Sequence, residues 1–404
     1  MKKKILFVIL SGLADDAEST PLMLASKENI DRFARGGVAG LVKNDEGEHP
    51  DSGISNFLLL GYPKEEYPGR GYLEALGANM KIIPGSVYVR ADFATVKESM
   101  SDDFKTGDYE PHLFVVDRRA GRDSTGVLEM SKAIKEMFLD GVKLDFFKSL
   151  GNRGVVSLNS IDVSADVSDS DPCANGKEVL QIRALRDDNN AFKTASALNK
   201  FSKETYRILK DHPENKYRKF PANYLLLRDA SVYKYVKTFK EKFGFDASCV
   251  AASTSMKGIA RSMEMQVDDV SGATGDLKTD LRAKVMKALD SLSNHDFVIL
   301  HIRGCDITSH DKNAKLGSVF LEKIDREVFG RILEYVNFDR TTLVLASDHP
   351  TSSKTGMHVS GMMPFLIYSR GIQPNSVQTL DEVSCKEGPL IDIGNFMEEV
   401  IKYT

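Results

Sequence analysis

The chain has 404 residues, 42% hydrophobic and 28% charged, which is typical of a soluble globular protein with two domains or one core carrying an insertion. Its net charge of -4 argues against nucleic acid as a general partner, and no apolar run reaches transmembrane length. The four cysteines are widely separated without a CxxC pair, which favours a reducing, cytoplasmic location over a disulfide framework or a zinc cluster.

The first apolar segment, from Ile5 to Leu10, predicts a core strand that ends at Ser11. A helix at about 26–36 and a strand at about 38–42 follow, and then comes the segment HPDSGISNFLLLGYP. In that segment Ser52 directly precedes an apolar stretch that predicts a helix. A hydroxyl at a helix amino end meets backbone N–H groups and the positive dipole end, which favour phosphate, but it could equally cap the helix.

From about residue 81 the pattern changes to strand-like segments around a helix predicted at 126–140. This order predicts an inserted α+β domain on a mainly antiparallel sheet, at 86–189, between core segments 1–85 and 190–404. The run VVDRRAGR contains Arg118, Arg119 and Arg122. These side chains could grip carboxylate and phosphate groups in bidentate fashion, or form a solvated charge run.

Alternating helices and strands resume after the insertion and lead to the segment FVILHIRGCDITSHD. Its apolar strand runs into Asp306 and His310, which would lie on one face of a helix. A second strand, TLVLASDHPT, ends directly in Asp348 and His349, and His358 follows in a glycine-rich loop. Ligands collect at the carboxyl ends of strands in α/β sheets, so the pattern favours a two-metal site over a chance pairing of helix caps.

Ordered blocks along nearly the whole chain resemble the archaeal-type cofactor-independent phosphoglycerate mutases, among them GRGYLEALG, DFATV, VVDRRAGR, NRGVV, SGATGDLKTD and HIRGCDITSHD. The resemblance implies an alkaline phosphatase-like α/β core, with helices on both faces of a mostly parallel sheet, plus a smaller α+β insertion. It implies interconversion of 3-phosphoglycerate and 2-phosphoglycerate in glycolysis or gluconeogenesis, through a phosphoserine. Two divalent cations (manganese, cobalt, zinc or magnesium) would be needed, and 2,3-bisphosphoglycerate would not.

Carried over residue by residue, the resemblance makes Ser52 the serine that is phosphorylated. The metal ligands would be Asp306, His310 and His358 for one cation, and Asp348 and His349 for the other. Substrate contacts are implied for Asp117, Arg118, Arg119, Arg122, Arg153 and Lys257. The expected partner is a small phosphorylated acid rather than nucleic acid or a membrane, and the sequence leaves open whether the chain forms a homo-oligomer.

One departure from the family pattern concerns the second cation. Ser11 stands where the family has an aspartate that binds this metal. A neutral hydroxyl supplies a weaker field than a carboxylate, so we expect the second metal to be weakly bound or absent. Asp15 or Asp16 could supply the missing carboxylate.

Further departures are Asn56, Asn152 and Cys173 at family histidine positions, and Gly53 in place of the acidic residue after the serine. Most of these changes remove groups that could carry a proton or a charge. They keep two alternatives to the mutase open. One is a weakened or inactive paralogue that acts as a binding or regulatory protein, and the other is a metallo-phosphatase or phosphomutase acting on another small phosphate ester.

Overall fold

The computed structural model describes residues 3–45, 47, 50–99 and 112–404. Within these ranges the strands are β1 (Lys4–Leu10), β2 (Val38–Asn44), β3 (Val87–Ser99), β4 (His112–Asp117), β5 (Glu136–Leu139), β6 (Val142–Lys148), β7 (Arg153–Asn159), β8 (Tyr224–Val232), β9 (Ala247–Val250), β10 (Gln266–Asp268), β11 (Phe297–Ile302), β12 (Thr341–Ala346), β13 (Gly361–Tyr368) and β14 (Leu390–Asp392).

The helices of the same ranges are α1 (Pro21–Leu24), α2 (Glu28–Gly36), α3 (Ser52–Leu59), α4 (Arg70–Gly77), α5 (Val127–Ala133), α6 (Asn189–Lys210), α7 (Phe239–Phe243), α8 (Thr254–Ser262), α9 (Leu281–Ser291), α10 (Gly304–His310), α11 (Ala314–Ile324), α12 (Gly330–Tyr335) and α13 (Phe396–Ile401). Among the described residues, none of the helices combines the length and the apolar character needed to cross a membrane.

The chain forms two compact units, Met1–Tyr67 with Val236–Thr404, and Pro68–Tyr235. The predicted insertion, 86–189, lies inside the second unit, which extends beyond it at both ends. The unit extends past residue 189 because β8 pairs with β3 and so belongs to the antiparallel sheet. Helix α4 joins the same unit through Tyr72, whose ring packs edge-on against Tyr88 of β3.

The first unit contains an eight-stranded sheet in the order β10-β9-β11-β1-β12-β13-β2-β14. Neighbouring strands are parallel except at β13, which runs antiparallel to both β12 and β2. The prediction of a mostly parallel sheet is therefore confirmed.

Both faces of this sheet are covered by helices, as β1 illustrates. Leu6 and Val8 point into an apolar cluster that includes Phe33 of α2. Phe7 points to the opposite face, where its ring centroid lies 6.1 Å from that of Phe396 in α13. A strand buried on both faces reads as a continuous apolar run, which explains the uninterrupted apolar sequence of β1.

The carboxyl ends of β1, β11 and β12 meet at one edge of the sheet. Strand β1 lies between the other two and is parallel to both, so Ser11 follows it beside the ends of β11 and β12. The N–H of Asp306 donates to the carbonyl of Ser11 at 3.0 Å. Gly12 has a φ of 66°, and a Cβ there would lie 2.6 Å from the Cα of Asp306. Glycine thus permits the close approach of this turn to α10.

The second unit contains a six-stranded sheet in the order β4-β3-β7-β6-β5, and β8 pairs with β3. All of its pairings are antiparallel, as predicted for the insertion. The helix predicted at 126–140 is wrong beyond Ala133, because 136–139 form β5 and pair with β6. The Asp140-Gly141 turn, with φ values of 52° and 71°, is the hairpin signal that overrides the helical pattern.

Candidate metal centre

Asp306 and His310 lie one helical turn apart on α10, and His358 reaches them from the loop before β13. Their ligand atoms all lie within 4.8 Å of one another. The Oδ1 atom of Asp306 is 3.1 Å from Nε2 of His310 and 3.3 Å from Nε2 of His358. The structure therefore brings together the three residues assigned to one cation.

Backbone contacts orient both histidine rings. Nδ1 of His310 lies 2.8 Å from the carbonyl oxygen of Gly356, and Nδ1 of His358 lies 2.9 Å from that of Pro50. A carbonyl only accepts, so each Nδ1 carries a proton, and Nε2 is the ring atom that faces Asp306 and could bind a cation. Two such nitrogens facing a carboxylate oxygen form a donor set that fits a divalent cation such as zinc, manganese or cobalt.

The Asp306 carboxylate is buried, with 1% of the residue exposed. Arg303 donates to its Oδ2 atom from Nε at 3.1 Å and from Nη2 at 2.9 Å. Burial alone would raise the pKa of Asp306, but Arg303, His310 and His358 outweigh it and hold the pKa well below the usual value. The group is therefore an anion, as a metal ligand must be.

A second polar group surrounds Asp348, which follows β12 and is fully buried. Its Oδ2 atom lies 3.3 Å from Nε2 of His349, 3.2 Å from Oγ of Ser11 and 2.7 Å from Nδ2 of Asn56. Oγ of Ser11 also lies 2.8 Å from Nε2 of His301. Burial lowers the pKa of His301 to about 3, so this ring is neutral.

The nearby Asp15 makes contacts of its own in the loop after β1. Oδ1 of Asp15 accepts backbone N–H bonds from Asp16, Ala17 and Ser353, which orders the loop after β1. Among the residues described, the Ser11 hydroxyl donates no hydrogen bond to the carboxylate of Asp15 or of Asp16.

Ser52 is the first residue of α3, and Asp51 is the cap of that helix. The Asp51 carboxylate accepts from the N–H groups of Gly53 at 2.7 Å and Ile54 at 3.2 Å, so the interpretation of Ser52 as the cap is wrong. The segment around Ser52 approaches both polar groups. The Pro50 carbonyl contacts His358, and Asn56 contacts Asp348 while also donating to the Ser52 carbonyl at 2.7 Å.

The structure also explains Gly53, which follows the serine. A Cβ at this position would lie 2.3 Å from the hydroxyl oxygen of Tyr67. The acidic residue of the family pattern would therefore clash with Tyr67 in this chain.

The second unit holds most of the predicted substrate contacts. Arg118 forms a two-pronged ion pair with Asp171, and Nε of Arg153 lies 3.6 Å from Asp92. Arg228 contacts both aspartates, so it joins Arg118 and Arg153 in one charged cluster.

The remaining predicted contacts lie outside that cluster. Asp117 does not present a free carboxylate, because its Oδ1 accepts from the N–H groups of Arg119 at 2.8 Å and Gly121 at 3.1 Å. This contact shapes an exposed turn that carries Arg119 and Arg122. Lys257 belongs to the first unit, where it pairs with Asp269.

Two of the substituted histidine positions lie beside this turn. Asn152 donates from Nδ2 to the Arg119 carbonyl at 2.5 Å. Cys173 has a φ of 59°, and its N–H donates to Asp171 at 2.9 Å. Asn152 thus supports the turn directly, whereas Cys173 contacts Asp171, the partner of Arg118.

The sequence interpretation missed several residues of the two clusters. The polar groups around Asp306 and Asp348 in the first unit also include Asn44, His301, Arg303 and Thr351, and the charged cluster of the second unit also includes Arg90, Asp92, Asp171 and Arg228. Some of these residues could have been identified from the sequence, because they are polar residues inside apolar strands, as for His301 in FVILHI and Arg90 in VYVRADF. Such a residue is buried and needs a partner.

Comparisons with known proteins identify the family of the chain. The family model for 2,3-bisphosphoglycerate-independent phosphoglycerate mutase matches residues 34–215. Proteins with that name from Methanopyrus kandleri and Methanocaldococcus jannaschii are 37% and 35% identical, over 96% of this chain and 93% and 94% of their own lengths.

Two solved structures extend over the whole fold. A Pyrococcus horikoshii protein is 26% identical with a TM-score of 0.80, and covers 100% of this chain and 98% of its own. The cofactor-independent phosphoglycerate mutase of Thermoplasma acidophilum is 32% identical with a TM-score of 0.63, and covers 99% of both chains. The chain therefore belongs to the 2,3-bisphosphoglycerate-independent phosphoglycerate mutase family.

Proposed function

We propose that this protein interconverts 3-phosphoglycerate and 2-phosphoglycerate through a phosphoserine on Ser52, with the help of a divalent cation. One observation carries the proposal within this family. The Asp306, His310 and His358 donor set contacts Pro50, two residues before the serine at the start of α3. A nucleophile next to a cation site is what phosphoryl transfer requires.

The reaction has two half-steps that balance each other. In the first, Oγ of Ser52 bonds to phosphorus, the bond from phosphorus to O3 of the substrate breaks, and the serine proton ends on O3. In the second, O2 of the same glycerate attacks the phosphoserine, and Oγ leaves and takes up the proton of the 2-hydroxyl. The enzyme returns to its starting state, so no external phosphoryl donor is needed.

Asp306, His310 and His358 would hold the cation, which supplies a Lewis acid that neutralises charge on the transferring phosphoryl group. The chain prepares this donor set before binding. Arg303 fixes Oδ2 of Asp306, and the backbone carbonyls fix both imidazole rings. Ordered ligands reduce the reorganisation that binding would otherwise require.

The arginines of the second unit would recognise the anionic groups of the substrate. Arg119 and Arg122 lie on an exposed turn. We therefore assign binding of carboxylate or phosphate chiefly to Arg119 and Arg122, since guanidinium binds both groups in bidentate fashion.

Replacing Arg119 by alanine should weaken phosphoglycerate binding by about 1.5 to 3 kcal/mol, the range for hydrogen bonds to charged groups. Titration calorimetry with 3-phosphoglycerate would measure the change. Arg186→Ala is a matched control, because Arg186 is an exposed arginine of the same unit whose ion pair is with Asp166. If wild type and Arg119→Ala bind 3-phosphoglycerate with equal affinity, the arginines of this turn form a solvated charge run and do not bind substrate.

The direct test of the proposal is an assay that couples formation of 2-phosphoglycerate to enolase, after dialysis against a chelator. Turnover should be absent in the dialysed protein and return with manganese, cobalt, zinc or magnesium. Free phosphate measured in parallel distinguishes a mutase from a phosphatase. Metal-loaded, folded protein that forms neither product would contradict the proposed function.

We also propose a reducing, cytoplasmic location. Cys173, Cys249, Cys305 and Cys385 are all free thiols, and the last three are buried. Free thiols persist where glutathione and thioredoxin keep them reduced.

A further inference from the structure

We propose that this chain binds one divalent cation, at Asp306, His310 and His358, and that neutral hydrogen-bond donors around Asp348 take the place of a second cation. The inference rests on the metal-dependent function proposed above. It concerns how many ions the centre holds, which is measurable without turnover. The contacts around Asp306 and those around Asp348 differ in two ways.

The first difference lies in how the histidines are oriented. His310 and His358 face backbone carbonyls through Nδ1, so Nε2 is the atom of each ring that remains to bind a cation. Nδ1 of His349 instead lies 3.2 Å from the hydroxyl of Thr351, which can donate or accept. His349 is therefore able to carry its proton on Nε2 and donate it to Asp348.

The second difference lies in the donors around Asp348. Oδ2 receives the amide of Asn56 at 2.7 Å and the hydroxyl of Ser11 at 3.2 Å. Because the Ser11 proton points to Asp348, the serine oxygen accepts from Nε2–H of His301 at 2.8 Å. With Nε2 of His349 at 3.3 Å, three neutral groups surround Oδ2, and a carboxylate oxygen has only two lone pairs in its plane, so its hydrogen-bonding capacity is filled without a cation.

A cation at this position would have to displace a donor from a buried network. Ser11 and Asn56 are only 4% and 5% exposed, so a displaced donor would lose its partner away from water. The set also contains a single carboxylate, because Ser11 is neutral. Loss of a contact that merely orients a ligand costs about 10- to 100-fold in metal affinity, and loss of a direct ligand should cost at least as much.

The test is a count of manganese ions per chain by equilibrium dialysis and elemental analysis, with affinities from titration calorimetry. We expect one ion in the wild type, one in Asp348→Asn and none in Asp306→Asn at the same free manganese concentration. Ser11→Asp should add a second ion, bound at least about 10-fold more tightly than any second ion in the wild type. Ser11→Asn, of the same shape without the charge, should still hold one.

The melting temperature of the metal-free protein tests independently whether a carboxylate at position 11 would lie beside Asp348. In Ser11→Asp two carboxylates would lie side by side in a buried site, so the metal-free variant should melt below Ser11→Asn and gain more from manganese. If Ser11→Asp does not fold, the wild type, Asp348→Asn and Asp306→Asn still decide the count.

Two ions of similar affinity in the wild type would overturn the inference, as would loss of the single ion in Asp348→Asn but not in Asp306→Asn. A single ion together with mutase turnover supports both this inference and the proposed function. A single ion in a folded protein without turnover supports the inference and contradicts the proposed function.

Discussion

Replacing Ser52 by alanine is expected to abolish both mutase turnover and the phosphoenzyme. Loss of a nucleophile that acts with its neighbours costs on the order of 10⁶-fold in turnover in other enzymes, and a fall of this size would leave no measurable rate. Brief incubation with labelled 3-phosphoglycerate, followed by acid quench and peptide mapping, should find the label on Ser52 in the wild type. The variant should carry none.

The fold should tolerate this change, which makes the result interpretable. Asp51 caps α3, so removing the Ser52 hydroxyl leaves the helix start intact. The melting temperature should therefore stay close to that of the wild type. Ser376→Ala, in an exposed loop of the same unit, is the matched control and should keep its label. Label that persists in Ser52→Ala would mean that another residue is the nucleophile.

Replacing Asp306 by asparagine is expected to weaken metal binding by at least about 100-fold and to lower turnover at limiting metal in proportion. Asp306 is the only carboxylate of the donor set formed with His310 and His358. An amide oxygen carries no net charge, so the attraction to a divalent cation falls sharply. Calorimetric titration with manganese would measure the affinity, and turnover at saturating manganese would show how much activity added metal restores.

A buried aspartate elsewhere in the same unit provides the control. Asp325 accepts from the N–H of Ile30 at 2.8 Å and from Nδ2 of Asn29 at 2.9 Å, and it is 5% exposed. Asp325→Asn should lower the melting temperature, because hydrogen bonds to a charged acceptor are weakened. Its manganese affinity should not change. If both variants lose metal affinity equally, general destabilisation rather than ligand loss is the cause.

The local sequence pattern was sufficient to predict the central strands and the convergence of the residues that follow them. The apolar runs of β1, β11 and β12 are long enough to be buried on both faces, and such strands belong to parallel sheets. Parallel strands end at the same edge, so residues that follow them were expected to converge. Ser11, Asp306 and Asp348 do lie there.

Local pattern failed where two structures compete for the same residues. The segment after Val127 has a helical apolar period, but the turn at Asp140 and Gly141 draws its end into a hairpin. One of the strand-like segments after residue 81, VLQIRALR at 179–186, has the composition of a strand, yet only an isolated bridge between Ala184 and Val167 forms there. Strand pairing is a long-range contact, and composition alone does not supply the partner.

The chain sequence by itself determined the strand that ends at Ser11, the helix that follows Asp51 and the spacing that puts Asp306 and His310 on one helix face, because these depend on near neighbours. Only the tertiary structure decided which atoms of the site face one another. The carbonyls of Pro50 and Gly356 reach His358 and His310 from elsewhere in the chain, and they leave Nε2 as the atom of each ring that could bind a metal. Asn56 contacts Asp348 and His301 contacts Ser11 across long sequence separations, and our inference that Asp348 is hydrogen-bonded rather than bound to a cation rests on these contacts.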